Sequence, residues 1–198
     1  MARAWVDVDL DAVAHNVRTL RSLAAPARLC AVVKANGYGH GAVAVARAAL
    51  DAGADWLAVA QVDEAMALRE AGLDAPLLVL SEPRVAEIPT LCELDARITI
   101  YSPDVLHSLL RTLSADVAGA GREQSSSVGS SSRRPLKVHL KVDTGMRRVG
   151  AAPNEAVALA KTIADVDELE LEALFTHCPV ADEPDNGFTA EQLRRFDQ

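Results

Sequence analysis

Ala31-Val32-Val33-Lys34-Ala35-Asn36-Gly37-Tyr38-Gly39-His40-Gly41 sets how the rest of the chain is read. An apolar run from Leu29 to Val33 ends on a lysine and breaks into a turn with three glycines, and a helical pattern follows. A buried strand running through a short turn into a helix is the repeating unit of a parallel α/β sheet. The lysine itself has two readings. It is a strand end that lifts its ammonium into water on an apolar stem, because lysine is almost never fully buried. Or it is a desolvated amine nucleophile on a rigid element, open to a ligand.

Working outward, the same unit recurs. Ala4 to Val8 alternates as a short strand, and Asp9 or Asp11 can cap a helix whose apolar positions are Val13, Val17, Leu20 and Leu23. His40 to Asp51 reads as an alanine-rich helix closed by Gly53. Trp56 to Ala60 is a second apolar strand, Val62 to Ala71 a helix closed by Gly72, and Pro76 to Ser81 a third strand. A short helical segment lies near Pro83 to Cys92, and Ala96 to Tyr101 is a fourth strand. Ser102-Pro103-Asp104 opens a helix carrying Leu106, Leu109, Leu110 and Leu113. The serine-rich stretch Ser114 to Pro135 reads as a flexible surface loop, because it cannot bury enough apolar surface to offset its ordering entropy. Leu136 to Val142 is a fifth strand, Pro153 begins a helix with Val157, Ala160 and Ile163, and Leu169 to Phe175 is a sixth strand. Thr189-Ala190-Glu191-Gln192 reads as a capping box that starts a last helix.

The chain has 198 residues, of which 49% are hydrophobic and only 4% aromatic, so a core is available and must be built from Ala, Val, Leu and Ile. A net charge of −8 argues against nucleic acid or an anionic membrane as a general partner. No charged-then-apolar leader and no bilayer-length apolar run is present, and Cys30, Cys92 and Cys178 read as reduced core residues. A cytoplasmic protein is expected, with neither metal nor membrane partner.

Continuous apolar strands alternating with helices fit a parallel sheet buried on both faces, either doubly wound or a (β/α)8 barrel. Six barrel-type strands follow the first helix, whereas an eight-stranded barrel takes about 250 residues. The expected fold is therefore an incomplete TIM-type α/β barrel with about six of eight strands. In such barrels the site lies at the carboxyl ends of the strands. Three polar clusters fall there: Lys34 with Tyr38 and His40, Lys141 to Arg148, and Thr176-His177. Together they suggest an anion site or a cofactor pocket. The bland alternatives are a surface salt bridge for Arg148 and a backbone hydrogen bond for His177.

Val33 to Gly41 closely resembles the cofactor-lysine signature of the alanine racemases, fold-type III pyridoxal phosphate enzymes. Three further stretches resemble that family in the same order: Val8-Asp9-Leu10-Asp11 with His15-Asn16, Leu140 to Gly150, and Thr176-His177 with Ala181-Asp182-Glu183. The resemblance implies interconversion of L- and D-alanine for peptidoglycan precursors, with pyridoxal 5'-phosphate linked to Lys34. It implies that Tyr38 hydrogen-bonds the cofactor phosphate, that Arg148 lies near the phenolic oxygen, and that His177 packs beside the ring. Lys141 matches a lysine that is carbamylated in some members and fixes that arginine. It further implies a homodimer in which a tyrosine of the partner's C-terminal β-domain is the second base.

That β-domain is not expected within these 198 residues. Residues 1–10 are expected to form the strand that joins it in the family, and 11–198 the partial barrel, with the serine-rich loop at 114–135. The isolated chain is accordingly expected to be inactive. One departure from the family is Arg147, which stands where glycine is usual and would be strained if the position needs a positive φ. A non-catalytic carrier of pyridoxal phosphate on the same barrel is the alternative, against which Tyr38-Gly39-His40-Gly41 speaks.

Overall fold

The computed structural model describes residues 4–120 and 135–198, and it divides into two compact units. The first comprises Met1–Leu80 with Leu94–Ala96; the second comprises Ser81–Glu93 with Arg97–Gln198.

In the first unit, helix α1 (Leu10–Ala24) is capped by Asp9, whose carboxylate accepts the Ala12 N–H at 3.0 Å. Strands β1 (Cys30–Val32), β2 (Trp56–Val59) and β3 (Leu77–Val79) pair in parallel and in chain order, with Ala31 opposite Leu57 and Ala58 opposite Leu78. Leu57, Ala58, Val59, Leu77, Leu78 and Val79 are buried, as expected for inner parallel strands covered on both faces. The one-turn α2 (Lys34–Tyr38) and helices α3 (Ala42–Asp51) and α4 (Val62–Glu70) complete the unit, α3 packing Ala49 against Val17 of α1.

The second unit holds β4 (Ala96–Ile100) from Arg97 onward, β5 (Leu136–Lys141) and β6 (Leu169–Phe175), again parallel and in chain order. Its helices are α5 (Ile88–Glu93), α6 (Pro103–Ala120), α7 (Pro153–Ala164) and α8 (Phe188–Phe196). Ile98, Ile100, Val138, Leu140, Leu159 and Ile163 form the core of this unit. One irregularity bears on the site. Val138 pairs with Leu171 but His139 pairs with Ala173, so β6 carries Glu172 as an extra, bulged residue.

The expected α/β alternation is what the described residues form, with three parallel strands in each unit, and several local expectations need correction. Ala4 to Val8 forms no strand; Trp5 and Val6 are each 80% exposed, because nothing among the described residues offers that backbone a ladder. The second major helix begins at Ala42, not His40, because Gly41 sits at φ 90°. Helix α6 continues to Ala120, so the first seven residues of the supposed serine-rich loop are helical; residues 121–134 lie outside the described part. Its backbone goes on where alanines favour it, and the Ser114 hydroxyl donates back to the Leu110 carbonyl at 2.9 Å. Thr189 does not cap α8, which starts one residue earlier behind Gly187, and its hydroxyl is buried without a partner among the described residues. The cysteines are free but not core: Cys30 is exposed and the other two are half-buried.

Candidate functional site

Lys34 follows β1 by one residue, Val33, whose N–H donates to the Ala58 carbonyl at 2.8 Å and so extends the β1–β2 ladder to the lysine's doorstep. The chain then makes a single turn, α2 (Lys34–Tyr38), of the wrong hand. Ala35, Asn36, Gly37 and Tyr38 have φ of 51°, 53°, 62° and 53°. A left-handed conformation costs an L-residue roughly 1–2 kcal/mol, less for asparagine, so three non-glycine residues here store about 3–5 kcal/mol. Three sets of hydrogen bonds oppose that strain. Within the turn, the Gly37 N–H donates to Val33 and the Gly39 N–H to Ala35. At its far end the Asn36 side-chain oxygen accepts the Ala42 N–H at 2.9 Å. At its near end the Ala35 N–H donates at 2.6 Å to Glu64 of α4, whose other oxygen accepts the Ala60 and Gln61 N–H groups at 2.7 and 3.1 Å.

The turn returns Tyr38 toward the lysine. The Lys34 ammonium lies 5.9 Å from the centre of the Tyr38 ring, within cation–π range. Lys34 is half-buried, Tyr38 is 59% exposed, and Lys34 makes no carboxylate contact among the described residues. His40, grouped with them in sequence, is exposed and donates from Nδ1 to the Gly37 carbonyl at 3.0 Å.

In the second unit, Lys141 is the last residue of β5, only 6% exposed, with its Nζ 5.5 Å from the centre of the Phe175 ring. Strand alternation puts Lys137 and His139 on the same face. The bulge in β6 delivers Glu172 to them: Lys137 Nζ stands at 2.8 Å, His139 Nε2 at 2.9 Å and Arg97 Nε at 3.1 Å. Burial pushes the Glu172 carboxyl up, but these donors outweigh it and hold it down at about 2. Burial likewise pushes the His139 imidazole down, against the pull of Glu172.

Beyond Lys141 the chain closes a loop on itself. Ala151 donates to the Lys141 carbonyl and Asp143 donates to the Ala151 carbonyl, so Val142 and Ala151 form a bridge. Inside it, the Asp143 carboxylate accepts the Gly145 and Arg147 N–H groups at 2.8 and 3.1 Å. Arg147 has φ 58°, so the position that the family usually fills with glycine does need a positive φ here. Arg148 is exposed and joins neither Lys141 nor any carboxylate among the described residues. His177, two residues past β6, is exposed; its carbonyl accepts from the fully buried Gln192 of α8 at 2.9 Å. Gln192 also donates to Thr144, and Thr144 shares a 2.8 Å hydroxyl contact with Thr176. Arg195 donates to the Thr144 carbonyl at 2.9 Å.

Lys34, Lys141 and His177 thus lie at, or within two residues of, the carboxyl ends of β1, β5 and β6, whereas Tyr38 and Arg148 lie in the segments that follow β1 and β5. Lys34 and Tyr38 are brought together; Arg148 is not brought to Lys141. Sequence reasoning passed over Glu64, Asn36, Glu172 and Gln192. Only Glu64 carried a local signal, since it stands three residues after Gln61 at a helix start, where a carboxylate caps. Among the described residues no helix is long and apolar enough to cross a membrane.

The model of the alanine racemase N-terminal domain family matches residues 8–198. The chain is 42% identical to an alanine racemase of Symbiobacterium thermophilum over 197 residues, and 40% identical to one of Desulforamulus reducens over 194. It spans about half of these curated relatives: 100% and 97% of this chain, but 48% of each of them. Among solved structures it is similar to alanine racemase from E. faecalis, with a TM-score of 0.82 and 37% identity over 96% of this chain and 48% of that one. It is also similar to a histidine racemase from Leuconostoc mesenteroides, with a TM-score of 0.81 and 26% identity over 96% and 47%.

Proposed function

We propose that this chain, which belongs to the alanine racemase family, carries the lysine half of a two-base site that interconverts L- and D-alanine. The observation that supports this most directly is Lys34: a half-buried amine at a strand end, facing a tyrosine and not committed to a carboxylate among the described residues. An ion-paired lysine resists deprotonation, whereas an amine that must react with an aldehyde has to give up its proton. The residues present therefore fit pyridoxal phosphate, with Lys34 as the attachment point and the exposed Tyr38 phenol available to its phosphate. By the family pattern Arg148 would lie near the phenolic oxygen, His177 beside the ring, and Lys141 in support. When bound, the cofactor supplies an electron sink for the charge left when an α-proton departs.

Lys34 would move that proton on one face of the substrate. A single base tends to return the proton to the side it came from, so inversion needs a second acid/base on the opposite face. In the family this is a tyrosine of a partner subunit's β-domain. The homodimer, the cytoplasmic setting and a role in peptidoglycan precursor supply belong to the same reading of the whole enzyme. The alanine racemases at 42% and 40% identity favour alanine over histidine as substrate.

The test is to incubate the 198-residue chain with pyridoxal phosphate, trap with borohydride and map the labelled peptide. Label concentrated on Lys34 and abolished in Lys34→Ala is expected; label spread evenly over Lys34, Lys137, Lys141 and Lys161 overturns the reading. The same chain should not racemise alanine with cofactor added, and turnover by it alone would remove the half-site proposal.

A further inference from the structure

We propose that Glu64 is a positioning residue for Lys34, clamping the left-handed turn that aims the lysine; this rests on the reading of Lys34 given above. As the third residue of α4, Glu64 would be satisfied by capping alone, and one of its oxygens does that through Ala60 and Gln61. Its other oxygen reaches a different loop, 29 residues earlier in sequence, and accepts the Ala35 N–H at 2.6 Å, the shortest of the three bonds. That N–H belongs to the residue immediately after Lys34 and is the first to enter positive φ. The Gly37 and Gly39 amides take backbone acceptors inside the turn, whereas the Ala35 amide has the carboxylate. Glu64 therefore ties the peptide that orients Lys34 to the end of β2, making the lysine's direction depend on a helix it does not belong to.

The carboxylate is acceptor-only, which matters for the test. In Glu64→Gln the one amide oxygen is claimed by two N–H groups at the α4 cap, Ala60 and Gln61, against one at Ala35, so it stays at the cap and the NH₂ group meets the Ala35 N–H donor to donor. This variant removes the clamp and keeps the cap. Glu64→Ala removes both. In the full 198-residue chain, borohydride trapping with pyridoxal phosphate is followed at Lys34 and, as an internal reference, at Lys161. We expect the Lys34-to-Lys161 labelling ratio to fall about tenfold in both variants, as loss of a charge-assisted bond implies. Hydrogen exchange at the Ala35 amide should become fast in Glu64→Gln while the α4 amides stay protected. A purely structural cap would leave the glutamine variant unchanged on both measures, and that result overturns the clamp. If the unmodified chain labels Lys34 no faster than Lys161, the Lys34 reading falls, while Ala35 exchange still decides the clamp.

Discussion

The turn after Lys34 and the loop from Asp143 to Gly150 both leave the carboxyl end of a strand, and both hold non-glycine residues at positive φ. They are secured differently. The first adds to its own backbone bonds a tie to a neighbouring helix at each end, Glu64 of α4 at one and the Asn36–Ala42 bond to α3 at the other. The second is held from inside, by the Asp143 carboxylate and the Val142–Ala151 bridge, with α8 packed over it through Phe188 and Arg195. In the first, left-handed backbone is spread over four residues and supported at each end. In the second, it falls on one arginine whose side chain gains no ion pair among the described residues. The left-handed turn beside Lys34 is tied to α4 and to the start of α3, whereas the left-handed backbone at Arg147 is tied to a carboxylate four residues earlier in its own loop.

The largest expected effect is at the base of the second loop. A Cβ on Gly150 would stand 2.8 Å from the Asp143 nitrogen, at φ 134°. Gly150→Ala should therefore destabilise by about 3 kcal/mol in denaturant melts, since backbone strain and a backbone clash act together. A melt within about 0.5 kcal/mol of the parent would mean the bridge is not what closes the loop.

Acid should separate the two units next. The first has an aliphatic interior, whereas in the second Glu172 of β6 joins Lys137 and His139 of β5 and Arg97 of β4. Glu172 is held at about 2, below its ordinary 4.5, so its contribution is fully present above 4.5 and lost as pH falls toward 2. His139 is pushed below 6.5, so its cost on protonation acts in the same direction once pH drops under that value. Exchange of β5 and β6 amides, corrected for intrinsic rates, should therefore rise relative to β2 between pH 4.5 and 2. Equal change in both sets would show that the cluster contributes nothing particular. The smallest effect is Arg147→Gly, which should stabilise by about 1 kcal/mol by removing a left-handed L-residue. A loss of stability would show that the arginine side chain makes a contact that outweighs its backbone.

The strand-and-helix rhythm was legible because it is local. Apolar runs such as Leu77 to Val79 and stripes such as Leu106 and Leu109 state their own period. The strand ends at Lys34, Lys141 and Thr176-His177 were legible for the same reason. The hand of the turn after Lys34 was not, because its near-end clamp arrives 29 residues later. Glu172 could not be picked out either: a bulge is a property of pairing, and no single strand displays it. Thr189 shows the converse error. Its sequence context is a proper capping box, but Gly187 with the preceding turn starts the helix first and leaves the hydroxyl buried.

The Gln192 amide gives the molecule a timetable. It joins Thr144 to the His177 carbonyl across 48 and 15 residues. A ribosome adding roughly 5–20 residues per second delivers Thr144 several seconds before Gln192 exists. During that interval the loop beyond Lys141 can close its own bridge, while its tie to the end of β6 waits for α8. On a growing chain the tie between the two strand ends can form only once Gln192 has been added, whereas every residue of the inner loop's bridge is made before it.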